Sequence, residues 1–240
     1  MIITPPQGSQ GSGTDILVYS DNPESPVVGD IWMLDDTIVF LERFNNSLLN
    51  TDRVQDLTSG SGSVIETTLL SVACGATNTD AAAAYLKHQL DKKIRTIKHR
   101  FNLSGSAGTF MVCQRSTAPA VVSNTAFSDE YRIFLSIATN GGTSALYYKK
   151  PDDTNSFTQT TSVVSNTDYD FVIETSETQI RAELRQTDGT VILTTNLITF
   201  NSSGLTGLKD DTNPYWYYWG EIRNDGSTAQ TINTSLLQVA

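Results

Sequence analysis

The feature that most constrains this chain is a period-two alternation of apolar and polar residues that recurs through its carboxy-terminal half. Ile97, His99, Phe101 and Leu103 alternate with Lys98, Arg100 and Asn102, and Tyr131, Ile133, Leu135 and Ile137 with Arg132 and Ser136. Tyr169, Phe171 and Ile173 alternate with Asp168, Asp170 and Glu174, and Ile180, Ala182 and Leu184 with Arg181, Glu183 and Arg185. Successive side chains of a strand point to opposite faces, so each segment reads as a half-buried strand. Asn140-Gly141-Gly142, Asp188-Gly189 and Asp225-Gly226 supply the positive φ of tight hairpin turns. Many short antiparallel strands joined in this way make a two-sheet sandwich. The fold class is therefore mainly β: a small amino-terminal hairpin region and an antiparallel β-sandwich of the jelly-roll kind, with one short helix.

The helix is expected where the alternation stops. Thr79-Asp80, then Ala81 to Ala84 and Tyr85-Leu86-Lys87-His88-Gln89-Leu90, combine a cap with the best helix former, Asp80 accepting the free amide hydrogens; Tyr85 to Leu90 also fits a strand. Residues 1–15 are rich in Gly, Pro, Gln and Ser and cannot bury enough apolar surface to fold alone. A hairpin follows over about Ile16–Arg43, and Thr58-Ser59-Gly60-Ser61-Gly62-Ser63 reads as a flexible linker. The expected division is an arm and hairpin over 1–62 and the sandwich over 63–240.

Composition narrows the function classes. The net charge is −10 and only 18% of residues are charged, which argues against a nucleic-acid binder, since phosphate contacts need clustered Lys and Arg. Neither a secretion leader nor an apolar run long enough to span a membrane is expected. Cys74 and Cys113 are far apart with no zinc spacing and read as small core residues rather than a disulfide. The sequons at Asn45, Asn102, Asn201 and Asn233 read as chance in a Ser/Thr-rich chain.

Two resemblances add to this. Pro26-Val27-Val28-Gly29-Asp30-Ile31-Trp32, followed by a strand, an Asp35-Asp36 turn and a second strand, resembles hairpin units of tail-fibre, baseplate and decoration proteins of tailed bacteriophages. Further on, three stretches resemble the concanavalin-like (laminin-G-like) jelly-roll family. They are Tyr131–Ile137 running through a glycine turn into Ala145-Leu146-Tyr147-Tyr148, Asp168–Glu174 turning into Ile180–Leu184, and Trp219-Gly220-Glu221-Ile222-Arg223. That family implies a two-sheet sandwich that often binds glycans or proteins.

Candidate sites are few. On a strand, Trp216 and Tyr218 share a face with Gly220 and Ile222, which reads as the core side. Tyr215, Tyr217 and Trp219 then form an outward aromatic stripe beside Glu221 and Arg223. With Arg223, this stripe is the candidate interaction surface, covered by a subunit or stacked on sugar rings, because flat aromatic faces bury much area at small entropic cost. Lys87, Lys92, Lys93, Arg95, Lys98 and Arg100 form a basic stripe that reads as a solvated face or a dock for an acidic neighbour or polysaccharide. His99 lies on an apolar strand face and reads as a hydrogen-bonded core residue, and with no GxSxG a serine triad is not supported. Asp168/Asp170 and Glu174/Glu183 could pair as glycosidase carboxylates, but they alternate with core residues as solvent-facing groups, and the Glu-x-Asp-x-x-Glu signature is missing. No cofactor is expected; Asp152-Asp153 and Asp210-Asp211 offer oxygen ligands suited to Ca²⁺.

These readings lead to one expectation. The chain is a non-enzymatic phage virion structural protein, anchored to the particle by Ile2, Ile3, Pro5, Pro6 and Trp32 and assembled in the host cytoplasm. Its partners are other virion proteins, two further copies in a homo-trimer, and a host surface glycan, with no nucleic acid and no membrane. The alternative is a free-standing carbohydrate-binding module.

Overall fold

The computed structural model describes residues 40–44, 48–77, 79–87, 96–104, 109–115, 132–138, 144–149, 156–176, 178–199, 216–222 and 229–240. These build sixteen strands. The first eight are β1 (Phe40–Arg43), β2 (Val54–Ser59), β3 (Ser63–Glu66), β4 (Leu70–Cys74), β5 (Ala81–Leu86), β6 (Thr96–Ser104), β7 (Thr109–Arg115) and β8 (Arg132–Ala138). Then come β9 (Ser144–Lys149), β10 (Ser156–Thr161), β11 (Tyr169–Thr175), β12 (Gln179–Gln186), β13 (Val191–Thr194), β14 (Ile198–Thr199), β15 (Trp216–Ile222) and β16 (Gln230–Val239). Nine form one sheet, ordered β13-β12-β11-β6-β16-β4-β3, with β1 beside β16 and β14 beside β12. Seven form the other, ordered β10-β9-β8-β7-β15-β5-β2. All pairings are antiparallel. The arrangement is the expected antiparallel β-sandwich, consistent with a jelly roll.

The alternation read from sequence is the burial pattern. Along β6, Ile97, His99, Phe101 and Leu103 are buried and the residues between them are only partly so. They meet Phe171, Ile173, Ile180, Ala182 and Leu184 of the same sheet and Ile133, Leu135, Ile137 and Leu146 of the other in one core. Non-consecutive strands such as β6, β11 and β16 lie side by side because the jelly-roll path returns each hairpin across the sandwich.

The structure corrects three local expectations. Ala81 to Ala84 form a strand, not a helix, hydrogen-bonded between β2 and β15 and buried to at most 4% exposure. Pairing on both edges outweighs an intrinsic alanine preference of a few tenths of a kcal/mol per residue. Asp80 does cap free amides, but they belong to Ser61 (3.0 Å) and Thr77 (3.1 Å), so it pins the β2–β3 turn to the β4–β5 loop. Those bonds, the Ser61 amide first, hold its carboxyl below the ordinary range. A Cβ on Gly60 would lie 2.0 Å from one Asp80 oxygen and a Cβ on Gly75 2.1 Å from the other, so both positions admit only glycine around this carboxylate. The Ser/Gly stretch expected to link two domains is this turn, and β1 and β2, on its amino-terminal side, are sandwich strands.

Cys74 is a buried thiol facing the core from β4. Cys113 pairs in register with Tyr218 and Phe134 in the other sheet. Asn102 and Asn233 of the sequons are committed to each other (3.0 Å), with Asn102 also donating to Asp168 (2.7 Å) and Ser71 donating to Asn233 (2.9 Å). The anchoring candidates Ile2, Ile3, Pro5, Pro6 and Trp32 lie outside the described residues, as do His88, Lys92, Lys93 and Arg95.

Candidate functional site

The aromatic stripe of β15 is oriented opposite to the sequence expectation. Tyr217 and Trp219 are fully buried, and it is Trp216, Tyr218 and Gly220 that occupy the alternate positions; Tyr215 and Arg223 lie outside the described residues. The reason is volume. Trp219 pairs with Ala84 of β5, and the small neighbour leaves room for the indole, which lies 6.3 Å from the Phe44 ring and 5.2 Å from His99. The reverse orientation would turn Gly220 toward the core and leave a cavity there.

His99 sits beneath this strand as the core histidine expected from its apolar face. One ring nitrogen hydrogen-bonds Tyr217 Oη and the other Thr234 Oγ1, both at 2.9 Å, and the ring stands edge-on to Tyr217 at 5.7 Å. Burial lowers its pKa to about 3, so the imidazole is neutral, with one nitrogen donating and the other accepting. It bridges the two sheets and is closed off from any substrate.

The outer face of the nine-stranded sheet carries the carboxylates weighed as catalytic candidates. Asp170 and Glu183, expected to face solvent, are only 3% and 6% exposed. Asp170 accepts two hydrogen bonds from Arg100 (2.8 and 2.9 Å) and a third contact from Lys98 at 3.1 Å. Burial pulls its pKa up, but the hydrogen bonds and charges of Arg100 and Lys98 outweigh that and hold it below the ordinary carboxylate range. Glu174 is held by Arg181 and by Arg185 (3.3 Å), and Glu183 by Arg185 Nε (2.6 Å). Asp170, held below the ordinary range by Arg100 and Lys98, is a poor proton donor at neutral pH and does not suit general-acid work. The same ladder consumes Lys98 and Arg100 of the expected basic stripe, and Lys87 donates to the Thr51 carbonyl at 2.7 Å.

The outer face of the seven-stranded sheet differs. Register aligns Gln55, Tyr85, Tyr218, Cys113, Phe134, Tyr147 and Phe157 in one row across seven strands. The positions of this row alternate with Ile133, Leu135, Leu146, Tyr217 and Trp219, which face the core, and Gln55 and Tyr85 in it are half-buried. Five of its seven positions are aromatic. The next row on the same face is mostly small, Ala83, Gly220, Met111, Ser136 and Ala145, with Ala83 and Ala145 buried. Sequence reasoning missed the aromatic row because its members are scattered between residues 85 and 218 and only register assembles them.

Among the described residues no group of three or more His, Cys, Asp or Glu is placed to hold a metal ion, and no helix is long and apolar enough to cross a membrane. The Asp152-Asp153 and Asp210-Asp211 pairs lie outside the described residues.

No protein-family model matches the sequence, and no curated protein matches it. Solved structures do resemble the fold. A glycosyl hydrolase family 16 protein of Mycobacterium smegmatis aligns with TM-score 0.61 at 11% identity, covering 85% of this chain and 100% of the other. The catalytic domain of an endo-1,3-β-glucanase (laminarinase) from Thermotoga petrophila aligns with TM-score 0.58 at 10% identity, covering 84% of this chain and 96% of the other. An immunostimulatory antigen and pseudo β-1,3-glucanase of Mycobacterium tuberculosis aligns with TM-score 0.60 at 9% identity, covering 85% and 98%. These likenesses correct the expectation of a non-enzymatic phage virion protein. The neighbours are a family 16 glycosyl hydrolase, an endo-1,3-β-glucanase and a pseudo β-1,3-glucanase, and at such identities what is shared is the fold.

Proposed function

We propose that this chain binds a polysaccharide along the outer face of its seven-stranded sheet. The observation that carries the reading is the cross-strand aromatic row through Tyr85, Tyr218, Phe134, Tyr147 and Phe157. Strands lie about 4.8 Å apart, so such a row runs as a continuous track across the sheet. Aromatic side chains offer flat apolar faces suited to the C–H faces of sugar rings, and they lose little entropy on ordering. The likeness to glycoside hydrolases supports the reading, because one neighbour of the same fold is the catalytic domain of an endo-1,3-β-glucanase and another is a pseudo β-1,3-glucanase.

The test is affinity electrophoresis and calorimetry of the full chain against a panel of soluble polysaccharides, laminarin included, with Phe134→Ala and Tyr147→Ala as variants. Binding weakened about tenfold by either variant, with an unchanged fold by circular dichroism, is the expected result. Absence of binding to every member of the panel overturns the reading. Release of reducing ends in the same samples extends the reading from recognition to hydrolysis. Such hydrolysis needs two carboxylates across the glycosidic bond, and the acidic residues on this sheet's strands, Asp56 and Glu221, both fall at positions alternating with the aromatic row.

A further inference from the structure

Beside the aromatic row, two residues along each strand, register places Arg115 directly opposite Arg132 and Arg132 directly opposite Lys149. Trp216 continues the row on β15. Directly opposed residues of adjacent antiparallel strands have Cβ atoms about 5 Å apart, and like charges so placed destabilise a sheet. Register thus brings three cationic residues to directly opposed positions on three adjacent strands. None of the described outer-face positions of this sheet is acidic, since Asp56 and Glu221 alternate with that face. The chain is otherwise strongly acidic, at −10, which makes a concentrated positive row more distinctive.

We infer that the polysaccharide taken by this face is acidic, with carboxylate or sulfate groups that meet the Arg115–Arg132–Lys149 row while its rings lie along the aromatic row. The inference rests on the glycan-binding reading and names its substrate class. Arginine's planar fork matches carboxylate and sulfate oxygens two at a time, and charge-assisted bonds of this kind are the strong ones. The rows are neighbours on one face, about 7 Å apart along the strand, so one sugar chain can engage both.

The experiment measures affinity of the full chain at physiological salt for polygalacturonate, dextran sulfate, neutral laminarin and duplex DNA. Arg132→Gln, Lys149→Gln and the charge-conserving Arg132→Lys are compared with the unmodified chain. Binding to polygalacturonate or dextran sulfate, weakened about tenfold by either Gln variant and largely kept by Arg132→Lys, is expected. Whichever of the two polymers binds tells carboxylate from sulfate recognition. Without ligand, Arg132→Gln is expected to melt no lower than the unmodified chain, since it relieves the like-charge opposition. Binding of laminarin but neither acidic polymer overturns this inference and leaves the glycan reading standing. Binding of no polysaccharide overturns both, and DNA bound as tightly as the acidic polymers reduces the row to a generic polyanion surface and overturns this inference.

Discussion

His99 and Tyr217 face each other from opposite sheets and share a 2.9 Å hydrogen bond at the centre of the core. Neither side chain reaches solvent. The bond, with the one from Thr234, turns a residue that could titrate near neutrality into a neutral cross-link. Its pKa falls from 6.5 to about 3, so between those values the unfolded chain binds a proton that the folded chain refuses. Stability from this group is complete above about pH 6.5 and is lost as pH falls toward 3, at a limiting rate of about 1.4 kcal/mol per pH unit. Glu42, raised by burial, acts in the opposite sense above its ordinary value of 4.5. Urea unfolding at pH 7, 6, 5 and 4 of the unmodified chain and of His99→Gln separates the two. The variant is expected to be roughly 2–4 kcal/mol less stable at pH 7 and to lose the His99 part of the slope.

The inward orientation of Trp219 makes a second prediction. Trp219→Ala is expected to cost about 3–5 kcal/mol as a core cavity, read by chemical denaturation. Trp219→Phe is expected to cost much less, because Trp219 Nε1 has no hydrogen-bond partner to lose. A surface-stacking role would give the reverse: little change in stability for Ala and a direct loss of ligand binding.

Asp170 anchors the charged ladder of the other sheet. Asp170→Asn keeps the shape but removes the charge from Arg100 and Lys98, whose side chains are about one third exposed and can rehydrate. The expected loss is therefore about 1–2 kcal/mol, below that of a fully buried pair. Because its folded pKa is depressed, its contribution is present above the unfolded value of 3.8 and is lost as pH falls through the folded one. Added salt is expected to narrow the gap between variant and parent in thermal melts.

The turn around Asp80 offers a coupling test. Gly75→Ala drives a methyl into the Asp80 carboxylate and is expected to cost about 1–3 kcal/mol by overpacking. In the Gly75→Ala/Asp80→Ala double variant the collision with the carboxylate is gone and only the 2.8 Å approach to Ser61 Cβ remains, so the combined loss is expected to be smaller than the sum of the single losses. Gly62→Ala meets the Ala81 carbonyl oxygen at 1.9 Å, and Asp80→Ala is not expected to rescue it.

The sandwich was legible in the sequence wherever strands alternate: residues 97–103, 133–137, 169–173 and 180–184 needed only their own period to declare strand conformation and the core-facing side, though Asp170 and Glu183 on the other side are buried as well. His99 was legible for the same reason. Ala81–Ala84 was not, because alanine's local preference is weak and the hydrogen bonds that override it come from β2 and β15, far away in sequence. The facing of Tyr217 and Trp219 was also hidden, since a run of five aromatic residues, 215–219, has no polar alternation to mark its inner side, and only Ala84 and Gly220 decide it. Where polar and apolar residues alternate, the sequence by itself determined strand conformation and the core-facing side, because alternation is a local property of the chain. Tertiary structure alone decided which strands become neighbours. It thereby assembled the aromatic row and the Arg115–Arg132–Lys149 row from separate segments, since cross-strand register is set by long-range pairing that no local window contains.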